Sequence, residues 1–182
     1  MRIIAGTMKG RKLNTFRGSD IRPTGDKVKE AIFSMIGDYL DESIVIDLFS
    51  GTGNLGLEAL SRGAKMCYFG DNLPESVRLT KSNIDICKAT GQSQVIAGSF
   101  EKVLSKIPEK ADVIFLDPPY EKGLMKPCLE TIQKLDILNE NGIIVAEHGR
   151  NEILPDAVSG FNKIKERRYG TILVSLYSRC DF

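Results

Sequence analysis

The chain has 182 residues, of which 42% are hydrophobic and 27% charged, with a formal net charge of +1. That length supports one hydrophobic core with a small appendage, and the balance excludes a disordered or fibrous chain. The charge is unevenly placed: residues 1–30 hold eight Lys/Arg (Arg2, Lys9, Arg11, Lys12, Arg17, Arg22, Lys27, Lys29) against Asp20, Asp26 and Glu30, a net +5 that leaves −4 for the rest.

In chain order, residues 2–5 and 10–15 flank Gly6-Thr7-Met8-Lys9-Gly10 and predict a small basic β-hairpin outside the main sheet. From Asp26 to Leu40, apolar residues at Val28, Ala31, Ile32, Met35, Ile36, Tyr39 and Leu40 follow the i, i+3, i+4, i+7 rhythm of an amphipathic helix. Strands are then expected at 43–49, 65–71, 94–97, 111–117 and 142–147, with helices at 54–62, 74–88, 100–106 and 124–134 between them. Strands separated by helices pair in parallel through right-handed crossovers. The runs 161–168 and 171–178 have no helix between them and predict an antiparallel pair at the sheet edge. The expected fold is therefore α/β and doubly wound, a seven-stranded, mostly parallel sheet with an antiparallel edge pair and an N-terminal hairpin. Residues 1–24 form the appendage and residues 25–182 the main domain.

Cys67, Cys87, Cys128 and Cys180 lack Cys-x-x-Cys spacing, so buried reduced thiols are expected and neither a metal site nor a disulfide framework. The absence of a long apolar run or a signal-peptide pattern predicts a cytoplasmic protein with no membrane partner. The basic N-terminus, with a second cluster at Lys163, Lys165, Arg167 and Arg168, fits a polyanion partner and fits solvated surface lysines equally well.

The strand at 43–49 runs into Ser50-Gly51-Thr52-Gly53-Asn54-Leu55-Gly56, a Gly-x-Gly-x-x-Gly between a strand and a helix, which is the setting of a nucleotide-cofactor loop. Asp71 ends the next strand, where a carboxylate can take both ribose hydroxyls. Asp47, four residues before the first glycine, would repel a pyrophosphate if ionised and would attract the ammonium and sulfonium of S-adenosylmethionine. Gly98-Ser99-Phe100 lies where the chain would pass an adenine ring; Phe100 could stack on it, or be a plain core residue.

The strand at 111–117 delivers Asp117-Pro118-Pro119-Tyr120 to the carboxyl edge of the sheet. Proline has a locked φ and no N–H, so Pro118 and Pro119 stiffen the loop and leave its carbonyls free to accept. An exocyclic base amine is a weak nucleophile because its lone pair is conjugated into the ring. The Asp117 carboxylate and the Pro118 carbonyl, each accepting one N–H, would turn that lone pair toward a sulfonium methyl, while Tyr120 stacks on the extruded base. A Pro-Pro turn with a solvent-facing Asp is the plain alternative.

With both motifs in place, the sequence resembles the bacterial small-subunit ribosomal RNA guanine-N2 methyltransferases of the RsmD type. The likeness runs through Arg2-Ile3-Ile4-Ala5-Gly6, Lys9-Gly10-Arg11, Arg22-Pro23-Thr24, Asp47-Leu48-Phe49-Ser50-Gly51-Thr52-Gly53, Gly56-Leu57-Glu58-Ala59-Leu60-Ser61-Arg62-Gly63-Ala64, Leu116-Asp117-Pro118-Pro119-Tyr120 and Tyr169-Gly170-Thr171. Asn72-Leu73 departs from a pair that is usually charged in that family, and Ser99 from a common acidic residue. The resemblance implies a Rossmann-like class I methyltransferase fold, a monomer, and transfer from S-adenosylmethionine to a guanine amine. The substrate it implies is 16S ribosomal RNA, free or in a partly assembled small subunit. It places Asp47, Phe49, Gly51, Gly53, Asp71, Asn72, Ser99 and Phe100 at the cofactor, and Arg11, Lys12, Arg22 and Thr24 on RNA. His148 is expected at a structural or rim position. Competing readings are an adenine-N6 DNA or glutamine-amide methyltransferase sharing the Asp-Pro-Pro-Tyr loop, a nicotinamide oxidoreductase, and an RNA-binding module without catalysis.

Overall fold

A computed structural model of the chain describes residues 1–18, 25–120 and 122–180. Among these, helices α1 (Asp26–Ile36), α2 (Asn54–Ser61), α3 (Pro74–Ile86), α4 (Phe100–Lys106) and α5 (Met125–Lys134) alternate with strands β1 (Ile44–Leu48), β2 (Met66–Asp71), β3 (Ser93–Ala97), β4 (Ala111–Leu116) and β5 (Leu138–Gly149). The chain ends in β6 (Ala157–Val158), β7 (Phe161–Tyr169) and β8 (Ile172–Arg179). One sheet has the order β3-β2-β1-β4-β5-β8-β7-β6. Its first five strands are parallel, and β8 and β7 add antiparallel edges.

This is the predicted doubly wound architecture, with three local differences. The helix from Asp26 stops at Ile36 and tightens into a 3-10 turn over Gly37–Tyr39, because Gly37 removes side-chain support within the helical rhythm. β5 starts at Leu138, upstream of the expected residue 142. The polar stretch Asn139-Glu140-Asn141 hid it, and a register shift between the Ala111 and Val113 pairings absorbs the extra residues. The two-residue β6 lies outside the expected seven strands as an eighth, pairing only with the start of β7.

Strand side chains alternate between two buried layers. Val45, Cys67, Phe69, Val113, Phe115 and Val145 face α1, α2 and the N-terminal segment, whereas Ile46, Leu48, Ile114, Leu116 and Ile144 face α4 and α5. Because β1 neighbours both β2 and β4, the winding direction reverses between β1 and β4. A crevice opens there at the carboxyl ends of the strands.

The N-terminal hairpin has an antiparallel bridge between Arg2 and Lys12 and stays outside the sheet. Ile3, Met8 and Leu13 nonetheless belong to the same buried cluster as one sheet face. The segment docks on the end of α2, where a Cβ on Gly6 (φ +86°) would sit 1.8 Å from the Ser61 carbonyl oxygen, so only glycine fits. The backbone N–H groups of Ile4 and Ala5 donate to the Glu58 carboxylate at 2.9 and 3.1 Å. Glu58 pairs with Lys29 Nζ at 3.1 Å, both side chains fully buried, and with Arg62 Nε at 3.0 Å. Lys29 Nζ also donates to the Arg2 carbonyl and to Asn54 Oδ1. Burial pushes the Lys29 ammonium toward a lower pKa, and Glu58 opposes it.

Candidate active site

The turn after β1 has positive φ at Phe49 (68°), Gly51 (57°) and Gly53 (80°). A positive φ at a phenylalanine is strained, and such strain collects at functional loops. α3 holds the turn from below. Thr80 Oγ1 donates to the Gly51 carbonyl at 2.9 Å, Ser50 Oγ bonds Thr80 Oγ1 at 3.0 Å, and Asn83 Nδ2 donates to the Thr52 carbonyl at 2.8 Å. Asn83 also bonds both backbone groups of Asn14. This draws the segment after the hairpin across the glycines, with Phe16 Cε2 only 3.9 Å from where a Gly51 Cβ would lie. Gly56 serves packing instead, since a Cβ there would come within 2.3 Å of Phe69 Cε1.

Beside this turn is a cleft with about 190 Å3 of empty space, lined in part by Phe49, Asp71, Asn72, Gly98 and Phe100. The rings of Phe49 and Phe100 stand 6.2 Å apart at 48°, offering apolar faces to a planar base. Asp71 accepts from Gly51 N–H (2.9 Å) and Leu73 N–H (3.0 Å), one on each oxygen. A carboxylate oxygen has two lone pairs, so acceptor sites remain for ribose hydroxyls. Ser99 Oγ caps α4 by accepting from Lys102 N–H. A larger hollow with about 610 Å3 of empty space, lined by Leu104, Pro108, Leu135 and Asp136 among others, lies at the opposite, amino edge of the parallel strands.

Asp117 follows Leu116, whose partner on β1 is Leu48. The Asp117-Pro118-Pro119-Tyr120 loop and the glycine turn therefore leave neighbouring strands, which are about 4.8 Å apart in a sheet. Asp47, Asp117 and Glu147 share the sheet face lined by Phe115 and Val145. Asp47 and Glu147 are buried, and Asp117 is half-buried. Desolvation first, then Glu147 and Asp47, push the Asp117 carboxyl well above the usual carboxylate range. Tyr120 is 44% exposed as a residue, while its hydroxyl donates to Glu147 Oε1 at 3.3 Å. Burial and the Glu147 carboxylate raise the Tyr120 pKa.

Asp47 corrects the expectation of an open, ionised carboxylate. It is 2% exposed, accepts from Gly56 N–H at 2.9 Å, and is pushed up to about 8 by burial. Its case against a pyrophosphate therefore changes: the carboxyl already occupies an N–H of the first turn of α2, where a phosphate would otherwise bind.

The structure thus brings Asp47, Phe49, Gly51, Gly53, Asp71, Asn72 and Phe100 together beside Asp117, Pro118, Pro119 and Tyr120. Arg11 reaches the end of α3, where its guanidinium donates to the Cys87 carbonyl, and Lys12 is exposed. Arg22 and Thr24 lie outside the described residues. His148 is fully buried between the Glu152 carbonyl and Ser175 Oγ, which is a structural position. Sequence reasoning missed Phe16, Thr80, Asn83 and Glu147, since none sits in a motif. The only local signal was a Thr and an Asn one turn apart on α3.

Residues 1–178 match the model of the family described as conserved hypothetical protein 95. The chain is 41% identical to the Bacillus subtilis protein YlbH, provisionally named an rRNA methyltransferase, over 98% of this chain and 99% of that one. It is 32% identical to the Haemophilus influenzae ribosomal RNA small subunit methyltransferase D, covering 97% and 93% of the two chains. Among solved structures, yhhF from Escherichia coli, provisionally named a methyltransferase, superposes with a TM-score of 0.87 at 26% identity, covering 98% of this chain and 97% of that one.

Proposed function

Because the chain belongs to this conserved hypothetical protein 95 family, we propose that it is an S-adenosylmethionine-dependent methyltransferase of ribosomal RNA that modifies the exocyclic N2 amine of a guanine in the 16S RNA. The observation that carries this reading is the emergence of the Asp117–Tyr120 loop and the glycine turn from adjacent strands at the switch point of the sheet. The named relatives supply the substrate class.

The residues present suit the cofactor. The Phe49–Phe100 cleft suits adenine and Asp71 the ribose hydroxyls, while Gly51 and Gly53 leave the turn bare of side chains. Asp47 and Asp117 face a cationic end. When bound, the cofactor supplies a methyl group on a positively charged sulfur. Asp117 and the Pro118 carbonyl accept the two amine N–H bonds, so the nitrogen lone pair is held out of conjugation and aimed. Positioning and charge placement carry most of the barrier reduction. Tyr120, tethered to Glu147, presents its ring face to the extruded guanine. No external base is needed, because the methylated cationic amine is acidic enough to give its proton to water.

Residues 1–24 act as the RNA-contacting appendage and residues 25–182 as the catalytic domain. Lys9, Lys12 and Arg17 are exposed for phosphate.

The test is to incubate the protein with labelled methyl donor and small-subunit RNA or subunits from cells lacking it, then identify the modified nucleoside. N2-methylguanosine is the expected product. N6-methyladenine, or labelling of DNA or protein alone, would refute the proposed specificity. Asp117→Ala should abolish transfer while leaving S-adenosylhomocysteine affinity nearly unchanged.

A further inference from the structure

The loop that follows β5 shows an unusual contrast between its backbone and one side chain. Three buried or half-buried side chains pin its carbonyls: His148 Nδ1 bonds Glu152 O at 2.8 Å, Lys163 Nζ donates to Leu154 O at 2.9 Å, and Tyr177 Oη donates to Pro155 O at 2.6 Å. Leu154 is buried beneath the loop, while Ile153 is 90% exposed, the most exposed of the large apolar side chains among the described residues. An isoleucine left in water on a flexible tip needs no explanation, but here the backbone on both of its sides is held in place.

The anchoring is itself supported from below. Ser175 Oγ donates to Glu166 Oε2 at 2.9 Å, and its single hydrogen is thereby committed. His148 Nε2 lies 2.9 Å from Ser175 Oγ, and Nδ1 lies 2.8 Å from the Glu152 carbonyl oxygen. Glu166 and its partner Lys163 close the network at 2.8 Å.

The loop also stands beside the catalytic tyrosine. A Cβ on Gly149 would lie 4.0 Å from Tyr120 Cγ, and Glu152 lies close enough for its carboxylate to add to the raised pKa of Tyr120. On its other flank the chain is tied to the β7–β8 turn by Arg150 N–H donating to the Thr171 carbonyl at 2.9 Å. Arg150, Arg167 and Arg168 are all exposed along that edge.

We propose that Ile153 is a wedge that enters the RNA base stack and fills the space left by the extruded target base, with Arg150, Arg167 and Arg168 holding the flanking phosphates. An apolar branched side chain suits this task because it replaces stacking contacts without needing a hydrogen-bond partner. A pre-positioned loop avoids the ordering cost of inserting it. The cationic edge explains the second basic cluster as the positioning half of the same contact.

This inference rests on the RNA reading above, and the experiment separates the two. Ile153→Ser, Ile153→Leu and wild type are compared at saturating methyl donor on two RNAs: the natural stem carrying the target guanine, and the same stem with that guanine bulged so that it is already unstacked. Ile153→Ser should lose about tenfold in kcat/KM on the natural stem, the scale of one side chain's apolar burial, and Ile153→Leu should stay near wild type. On the bulged stem all three proteins should be alike, because the work of the wedge is already done. S-adenosylhomocysteine affinity and Tm should not move. An undiminished Ile153→Ser, or an equal loss on both stems, would overturn the wedge while leaving the methyltransferase reading standing. A wild type inactive on both stems and on whole small-subunit RNA would overturn both.

Discussion

Two glycines in one motif should respond differently to the same substitution. Gly56→Ala gains about 1 kcal/mol of helix propensity, but its methyl would stand 2.3 Å from Phe69 Cε1 and 2.7 Å from Cys67 Sγ. Both neighbours are fully buried and cannot swing into solvent. Carbon contacts normally sit near 3.5–4.0 Å, so the helix must lift from β2, and overpacking of this kind costs about 1–3 kcal/mol, here at the upper end. Gly51→Ala meets only Phe16 at 3.9 Å, so its cost is the left-handed conformation (φ +57°), about 1–2 kcal/mol. In a chain this long each kcal/mol moves Tm by roughly 2–4 °C, which predicts the larger drop for Gly56→Ala. Affinity should invert that order. A methyl on Gly51 fills the bare face of the turn and should weaken S-adenosylhomocysteine binding at least tenfold, whereas folded Gly56→Ala should bind within about threefold of wild type, because Gly56 faces the core. Thermal unfolding and calorimetric titration on the two variants measure both quantities. If Gly51→Ala binds like wild type, the assignment of that turn to the cofactor is wrong.

Lys29→Met should cost about 3–5 kcal/mol in urea unfolding by leaving Glu58 buried with only Arg62 as a charged partner. Lys29→Met/Glu58→Leu should recover part of that loss, and strict additivity of the two single changes would refute the pairing. For Asp47, the folded pKa (about 8) exceeds the unfolded value of 3.8, so its contribution is complete below about pH 4 and declines as pH rises through about 8. Stability should fall with pH across that window by up to about 1.4 kcal/mol per unit. Asp47→Asn should flatten the slope and raise Tm at pH 8, and an unchanged slope would reject the assignment. Phe16→Ala should weaken S-adenosylhomocysteine binding severalfold with little change in Tm, and Phe16→Leu should restore part of it; equal affinity in all three would remove Phe16 from the site. Affinity for the cationic methyl donor should rise between pH 6 and 8 more steeply than affinity for S-adenosylhomocysteine, because a second positive charge favours the ionised forms of Asp47 and Asp117. Parallel pH profiles for the two ligands would count against a cation-binding role for these carboxyls.

The elements of the proposed site were legible because they are local. A strand, a glycine turn and a helix occupy 18 consecutive residues from Ile44 to Ser61, and the Asp-Pro-Pro-Tyr loop follows its strand directly. Burial was not legible in the same way. Lys29 belongs by sequence to the basic first 30 residues, yet it is fully buried against Glu58, 29 residues downstream, and only the docking of the hairpin on α2 brings them together. Phe16 had no motif to mark it, and its place over Gly51 follows from Asn83 binding the backbone of Asn14. The electrostatic argument from Asp47 reached a cofactor consistent with the fold through a premise the structure changes. The sequence shows a carboxylate near a phosphate-sized turn but not whether water reaches it.

That change bears on how the site works. Three carboxyl groups converge at the ends of β1, β4 and β5, two of them buried and one half-buried, and desolvation raises the pKa of Asp47 and Asp117. A hydrophobic edge in place of Asp47 and Asp117 would make a more stable sheet, because withdrawing a carboxyl from water is costly. The hydrogen bond that Asp47 accepts from Gly56 N–H offsets only part of this. In the proposed reading, a ligand carrying positive charge into the crevice would favour the ionised forms of Asp47 and Asp117, and would bind more strongly the more they ionise. Loss of charge from the bound sulfur during transfer would withdraw that support, so the same carboxyl groups that favour the donor would favour release of the product.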